Sequence, residues 1–366
     1  MTAGNGGNGA AMDVLTADDI EALCLGATLL GTGGGGDPYI AKLVAGQALT
    51  TYGAVEVVSA RDLPSDALVL TTAVIGAPTV ILEKIPAGTE FVASVQALAS
   101  YLGKAPAAIM PIEVGGCNTL FPIATAAEMG LPIVNADSMR RAFPQIEMTV
   151  FTLAGLPAGP LSVADEKGNQ CVFETTTNHI AETLARTSVI QLGLANAISC
   201  YPLTAGQVAE HGIQDSLTYC TEMGTLLQAV KDGEEGAWER FLGESGSRAF
   251  FTGKVVDLDR RTTDGFARST VILEDLEGSD STMRIEVQNE NLIAFHDGQP
   301  VITTPNLICL LDCETYDPIT TEALAYGNRV VVVGMPCAPE WHQDGMLELV
   351  GPSAFGYEID FVELSA

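Results

Sequence analysis

Positive charge is what this sequence has least of. Its 366 residues include 17 Lys and Arg against 46 Asp and Glu, a net charge of −29. A field of that sign repels nucleic acid and anionic membrane surfaces, so neither is an expected partner. Long apolar runs are missing as well: no stretch reaches the roughly 18 uninterrupted apolar residues of a membrane span. Histidine occurs at four positions, 179, 211, 296 and 342, and none forms HxH or HExxH. A recognisable zinc signature is therefore absent. The eight cysteines are scattered without a CxxC pair and read as buried thiols of a reducing compartment. Residues 1–12 carry no charged side chain and lack the basic start and apolar core of a signal peptide. They are expected to form a disordered tail, and the protein to be cytoplasmic.

What is plentiful is apolar residues, at 47 %, and glycine, at 38 positions. The length suggests two domains with substantial cores. Glycine is concentrated in Gly31-Thr-Gly-Gly-Gly-Gly-Asp-Pro38. Four consecutive glycines are costly, because glycine loses the most backbone freedom on folding. Such a run belongs where the chain needs positive φ or very close approach. Asp37 is a good N-cap and Pro38 a favoured first helical residue, so the glycines precede a helix N-terminus that favours an anion. The run lacks the Gly-Lys-Ser/Thr of a Walker A loop, and it follows a helix rather than a strand. Nucleotide binding by the usual routes is disfavoured. A tight helix–helix turn is the plain alternative, although one glycine would suffice for it.

Along the chain, Thr16-Ala-Asp-Asp19 resembles a capping box with Asp in place of Glu, and opens a helix to about residue 30. Apolar runs predict strands over 67–75, 107–114 and 131–136, with helices over 89–102 and 119–129 between them. Strands separated by helices imply a parallel sheet, with ligands beyond the strands' carboxyl ends. The loops Gly76-Ala-Pro78, 113–118 and 135–141 should converge there. Strands are predicted over 148–153 and 170–174, and helices over 178–198 and 204–230. After about residue 246, short β-rich runs alternate with Gly/Asp/Asn turns, the last run at 347–350. The expected architecture is an α/β N-terminal domain with a parallel sheet (13–165) and a C-terminal domain (166–366). The second domain would be helical over 178–240, a helical connection, and mainly β over 246–366.

Three constellations carry candidate chemistry. The amides of Gly33, Gly34, Gly35 and Gly36, with Asp37, form a candidate anion site. In Glu113-Val-Gly-Gly-Cys-Asn118, Cys117 lies at a strand end just before a helix, with Asn118 as a candidate N-cap. Thiols beside helix N-termini are the more nucleophilic ones. The alternative is a small buried cysteine filling a turn. In Asn135-Ala-Asp-Ser-Met-Arg-Arg-Ala-Phe-Pro144, Arg140 and Arg141 could hold a carboxylate bidentately. Asp137 could orient an arginine, act as a base or bind a metal; a surface salt bridge is the plain reading. His179, after Thr175-Thr-Thr-Asn178, is a ligand or general acid, or simply part of a capped helix start. Asn289-Glu290-Asn291 reads as a solvated turn, with reach to the domain seam as the alternative.

Together the glycine run, the segment 113–118 and Asp137-Ser-Met-Arg-Arg-Ala-Phe-Pro144 resemble the S-methyl thiohydantoin desulfurase family. Leu347-Glu-Leu-Val-Gly-Pro-Ser-Ala-Phe-Gly356 is similar to that family's C-terminal domain, so the resemblance runs from about residue 13 to 360. Members often carry Asp-Ala-Asp and Met-Gly-Arg where this chain has Asn135-Ala-Asp137 and Met139-Arg-Arg141. The resemblance implies hydrolytic removal of sulfur from a thiohydantoin ring in breakdown of ergothioneine-type compounds. The substrate would be a small anionic heterocycle with a propionate handle.

On that basis Cys117 is the expected nucleophile, with Asp137 or His179 activating it or a later water. Gly33–Gly36 and Asp37 would hold the carboxylate or an oxyanion. Glu113, Asn118, Arg140 and Arg141 would complete the substrate site. A divalent metal such as zinc, held by Glu113, Asp137, His179 or a cysteine, stays open as a rival. So do a hydantoin or cyclic-amide hydrolase or its accessory subunit, a non-catalytic small-anion sensor, and assembly as a homo-oligomer.

Overall fold

The computed structural model describes residues 12–36, 38–76, 80, 86–263 and 266–364. Helix α1 (Ile20–Leu30) starts where the sequence places it: the Asp19 carboxylate accepts the Thr16 backbone N–H at 2.8 Å. Leu23, Ala27 and Leu30 face the core along one side. Helix α2 (Tyr39–Tyr52) follows the glycine run, α3 (Thr89–Leu102) ends at Gly103 in the left-handed region, and α4 (Leu120–Met129) ends likewise at Gly130.

These helices pack on a mixed sheet. Strands β1 (Val14–Leu15), β2 (Val55–Val58), β3 (Leu68–Gly76), β4 (Ala108–Pro111) and β5 (Ile133–Val134) form one side of it. Next come β6 (Ala136–Asp137), β7 (Leu161–Ala164), β8 (Gln170–Phe173), β9 (Ala195–Ser199), β10 (Leu203–Thr204) and β11 (Ile213–Gln214). The order is β1-β2-β5-β4-β3-β9-β7-β8, with β10 also on β3 and β6 paired separately with β11. The pairs β2–β5, β5–β4 and β4–β3 are parallel, as the alternation of strands and helices predicts. The pairs from β3 through β9 and β7 to β8 are antiparallel. The sheet thus draws β8, β9 and β10 from beyond residue 166.

Five stretches differ from the sequence reading, the first being 131–136, which divides into β5 in the main sheet and β6 paired with β11. Residues 148–153 end in a short helix, α5 (Val150–Leu153), because Thr149 Oγ1 caps it by accepting the Thr152 N–H. The helix expected over 178–198 stops as α6 (Asn178–Gln191), since Gly193 and Leu194 take positive φ and the chain reverses into β9. The helix expected over 204–230 breaks at Gly212 into α7 (Ala205–His211) and α8 (Ser216–Lys231). Residues 347–350 are helical within α10 (Met346–Val350), which follows Gly345 at φ 85°. Helix α9 (Ala237–Ser245) completes the helical connection.

The C-terminal region is an antiparallel, curled sheet. It comprises β12 (Arg248–Thr263), β13 (Phe266–Asp275), β14 (Thr282–Gln288), β15 (Glu290–His296), β16 (Gln299–Thr303), β17 (Leu307–Asp312) and β18 (Arg329–Met335). Their order is β16-β15-β14-β13-β12-β18-β17. The glycine run is stitched to this sheet. Thr32 Oγ1 donates to Ile308 O and accepts the Ile308 N–H, Thr32 O accepts the Asn291 N–H, and Gly33 O accepts the Thr321 N–H.

Candidate active site

A cavity of about 90 Å³ lies beyond the carboxyl ends of β3 and β4, where the sheet topology predicts a ligand. Gly35 and Gly36, Glu113, Cys117 and Asn118 all line it. The glycine run and the loop after β4 meet backbone to backbone. A Cβ on Gly35, at φ 73°, would approach Gly115 O at 2.9 Å, and one on Gly116 would collide with Gly35 O. That contact is why both loops need glycine. Cys117 stands in a short 3₁₀ turn (Gly116–Thr119) leading into α4. Its N–H and its Sγ–H both donate to Gly35 O, at 3.0 and 2.9 Å.

Asn118 does not cap the helix with its side chain; it ties the floor of the cavity together. Its Oδ1 accepts the Val74 N–H at 2.7 Å, and its Nδ2 donates to Glu113 Oε1 at 2.6 Å. Glu113 Oε2 accepts the Phe143 N–H at 3.3 Å. Burial pushes the Glu113 carboxyl up to about 8, against the two hydrogen bonds that favour its ionised form.

Asp137 lies behind this wall. Its oxygens accept Val114 N–H, Arg140 N–H and Ser216 Oγ–H at 2.7, 2.6 and 2.7 Å. They fix the turn that carries Arg140 and Arg141, and burial raises the Asp137 pKa despite these bonds. Two further charged residues line the cavity: Arg186 of α6, which the sequence reading does not single out, and Glu290, which opens β15 and for which that reading sets a solvated turn against reach to the seam. Glu290 is a buried wall residue rather than part of a solvated turn.

Family profiles for the S-Me-THD-like N-terminal and C-terminal domains match residues 18–175 and 176–364. The chain belongs to the S-Me-THD-like family. The junction of its two profiles falls in the Thr175-Thr-Thr stretch that precedes α6. A crystal structure of a protein from Chromobacterium violaceum has the same fold. That protein is 22 % identical, the match covers 96 % of this chain and 100 % of that one, and the TM-score is 0.75. No curated protein matches this sequence.

In this S-Me-THD-like chain the remaining expected site residues that are described do not line the cavity. Gly34 and Gly33 face the second sheet: a Cβ on Gly34 would collide with Glu290 Oε1, and one on Gly33 would come within 2.8 Å of Asn291 Nδ2. Arg141 is fully buried; its Nη1 donates to Pro305 O and Asn306 O, both at 2.8 Å, and its guanidinium stacks over Phe143 at 4.2 Å. Arg140 stacks over Tyr219 at 5.0 Å and faces a separate cavity. His179 opens α6 with its imidazole three-quarters exposed, 3.3 Å from Glu147 Oε1. Asp37 lies outside the described residues.

Glu113, Asp137 and His179 therefore do not converge. Among the described residues no group of three or more His, Cys, Asp or Glu side chains could hold a metal ion. The donor set does not fit a metal centre. The signals for Glu290 and Arg186 were faint but present: an acid at the head of an apolar strand, and a base in a chain with few.

Proposed function

We propose that the chain is a thiohydantoin desulfurase, releasing sulfide from a thiohydantoin or methanethiol from its S-methyl form and leaving a hydantoin. The observation that carries this is Cys117 in the wall of a small cavity, beside the buried Glu113 carboxyl and Asn118 amide. Family membership supports a thiohydantoin-related role. The chemistry fits breakdown of ergothioneine-type compounds, whose propionate side chain would meet Arg186 at the cavity wall.

Cys117 would attack the sulfur-bearing ring carbon. Its Sγ–C bond forms and its proton passes to the exocyclic sulfur, or to the ring nitrogen of an S-methyl substrate. The exocyclic C–S bond then breaks, and the departing sulfur takes up one further proton. Water adds to the same carbon and gives a proton back. Breaking the Cys117–carbon bond returns the remaining hydroxyl proton to the thiolate and leaves C=O. The net change is one water in and one hydrogen sulfide or methanethiol out. Gly35 O holds the resting thiol, and the protonated Glu113 can hydrogen-bond the ring.

Cys117→Ser and Cys117→Ala decide the covalent route. Both should lose sulfide or methanethiol release by several orders of magnitude, as nucleophile knockouts do. Near-normal turnover in both overturns it. Hydrolysis of oxygen hydantoins without sulfide release would instead mark a cyclic-amide hydrolase. Thermal stabilisation by the substrate without turnover would mark an anion sensor.

A further inference from the structure

The glycine run has a use that an anion cradle does not explain. Gly34 leaves room for a carboxyl group, because any Cβ there would overlap the Glu290 side chain. The second sheet thus delivers Glu290 across the domain seam into the cavity wall that also holds Cys117 and Glu113. Glu290 is 2 % exposed, and its Oε2 is buried without a hydrogen-bond partner. Arg141 Nη2 is buried without one too. Burying a carboxylate with an unmatched oxygen is expensive unless the group keeps its proton.

We propose that Glu290 is the acid that protonates the departing sulfur, a role that rests on the desulfurase reading. Besides each other, the two carboxyls feel three charged or titratable groups: Arg141 and Glu322 act on Glu290, and Asp137 and Arg141 on Glu113. Both oxygens of Glu113 accept N–H donors, which favour its ionised form, whereas Glu290 Oε2 has none. The proton therefore stays longest on Glu290; burial and the neighbouring Glu113 both push its pKa well above the usual carboxylate range. When the exocyclic C–S bond breaks, the Glu290 proton passes to the sulfur, and Arg141 offsets the new carboxylate charge. When water adds to the ring carbon, its proton returns to Glu290. The acid is regenerated within one turnover, with no other reactant.

The test compares two leaving groups on the full chain: S-methyl and S-(2,2,2-trifluoroethyl) thiohydantoins bearing the same propionate. Trifluoroethanethiolate departs without a proton far more readily than methanethiolate. Glu290→Gln should slow methanethiol release about 10²- to 10⁴-fold, the usual span of general-acid catalysis, and trifluoroethanethiol release much less. Glu290→Asp keeps an acid there, should restore methanethiol release in part, and decides the matter if the amide variant does not fold. Equal slowing of both compounds, or no slowing, would overturn the role while leaving the desulfurase reading intact. If the wild-type protein releases thiol from neither compound, the desulfurase reading fails and takes this role with it.

Discussion

Burying a carboxyl group without a matching cation makes ionisation costly, and Glu113 is such a case, raised to about 8 from 4.5. In the unfolded chain it loses its proton near 4.5. Between about pH 4.5 and 8 the folded protein holds a proton that the unfolded chain does not, so stability falls as pH rises through that window. The limiting slope is about 1.4 kcal/mol per pH unit, and above pH 8 this group adds no further slope. Glu113→Gln removes the titration. Urea unfolding between pH 5 and 8 should therefore give the variant a flatter stability profile than the wild type; parallel profiles would contradict the burial account. The same residue shows why a local motif says little about roles. Its ionisation is set by burial and by the hydrogen bonds from Asn118 and Phe143, and none of these is visible in the motif's spacing.

At the scale of elements, Asn135 ties the end of the sheet to the start of a helix. Helix α8 begins after Asp215, which sits at φ 60° and offers no capping bond. Asn135 supplies it from the end of the sheet: its Oδ1 accepts the Leu217 and Thr218 N–H groups at 3.0 and 3.2 Å, and its Nδ2 donates to Thr218 Oγ1 at 2.8 Å. An aspartate there could accept both N–H groups but could not donate to Thr218 Oγ1. Asn135→Ala should cost about 1–2 kcal/mol, lower Tm by a few degrees and leave thiol release close to wild type, since it touches no cavity residue. Elements with local signals were legible in the sequence. Helices α1, α3 and α4 showed their starts and stops, and β3 its apolar run. Elements defined by distant partners were not. The apolar pattern of α6 continues past Gly193 into β9, and only the antiparallel neighbours β3 and β7 make 195–199 a strand. The burial of Glu290, for which the sequence reading sets a solvated turn against reach to the seam, likewise depends on Gly34, far away in sequence.

For the molecule as a whole, the cavity depends on a seam rather than on either domain. At net charge −29 the chain's field repels anions at long range, so a site for one would need local positive groups. The cavity wall draws on both halves: Cys117 and Glu113 from the side of the first sheet, Glu290 from the second. Thr32 holds the halves in register. It is fully buried at φ 47°, and its hydroxyl both accepts the Ile308 N–H at 2.8 Å and donates to Ile308 O at 3.1 Å. Thr32→Val keeps the shape and removes both bonds, leaving the Ile308 N–H buried without a partner, at a cost of about 1–3 kcal/mol. Because the glycine run and β17 then lose their register together, Gly34 also shifts against Glu290. Calorimetry should show one unfolding transition, moved to lower temperature, and thiol release should fall in the same variant. Two separate transitions would mean that the halves unfold independently. Unchanged thiol release in a destabilised variant would mean that Glu290 reaches its place without the seam, and the glycine run would then be a packing device for the backbone alone.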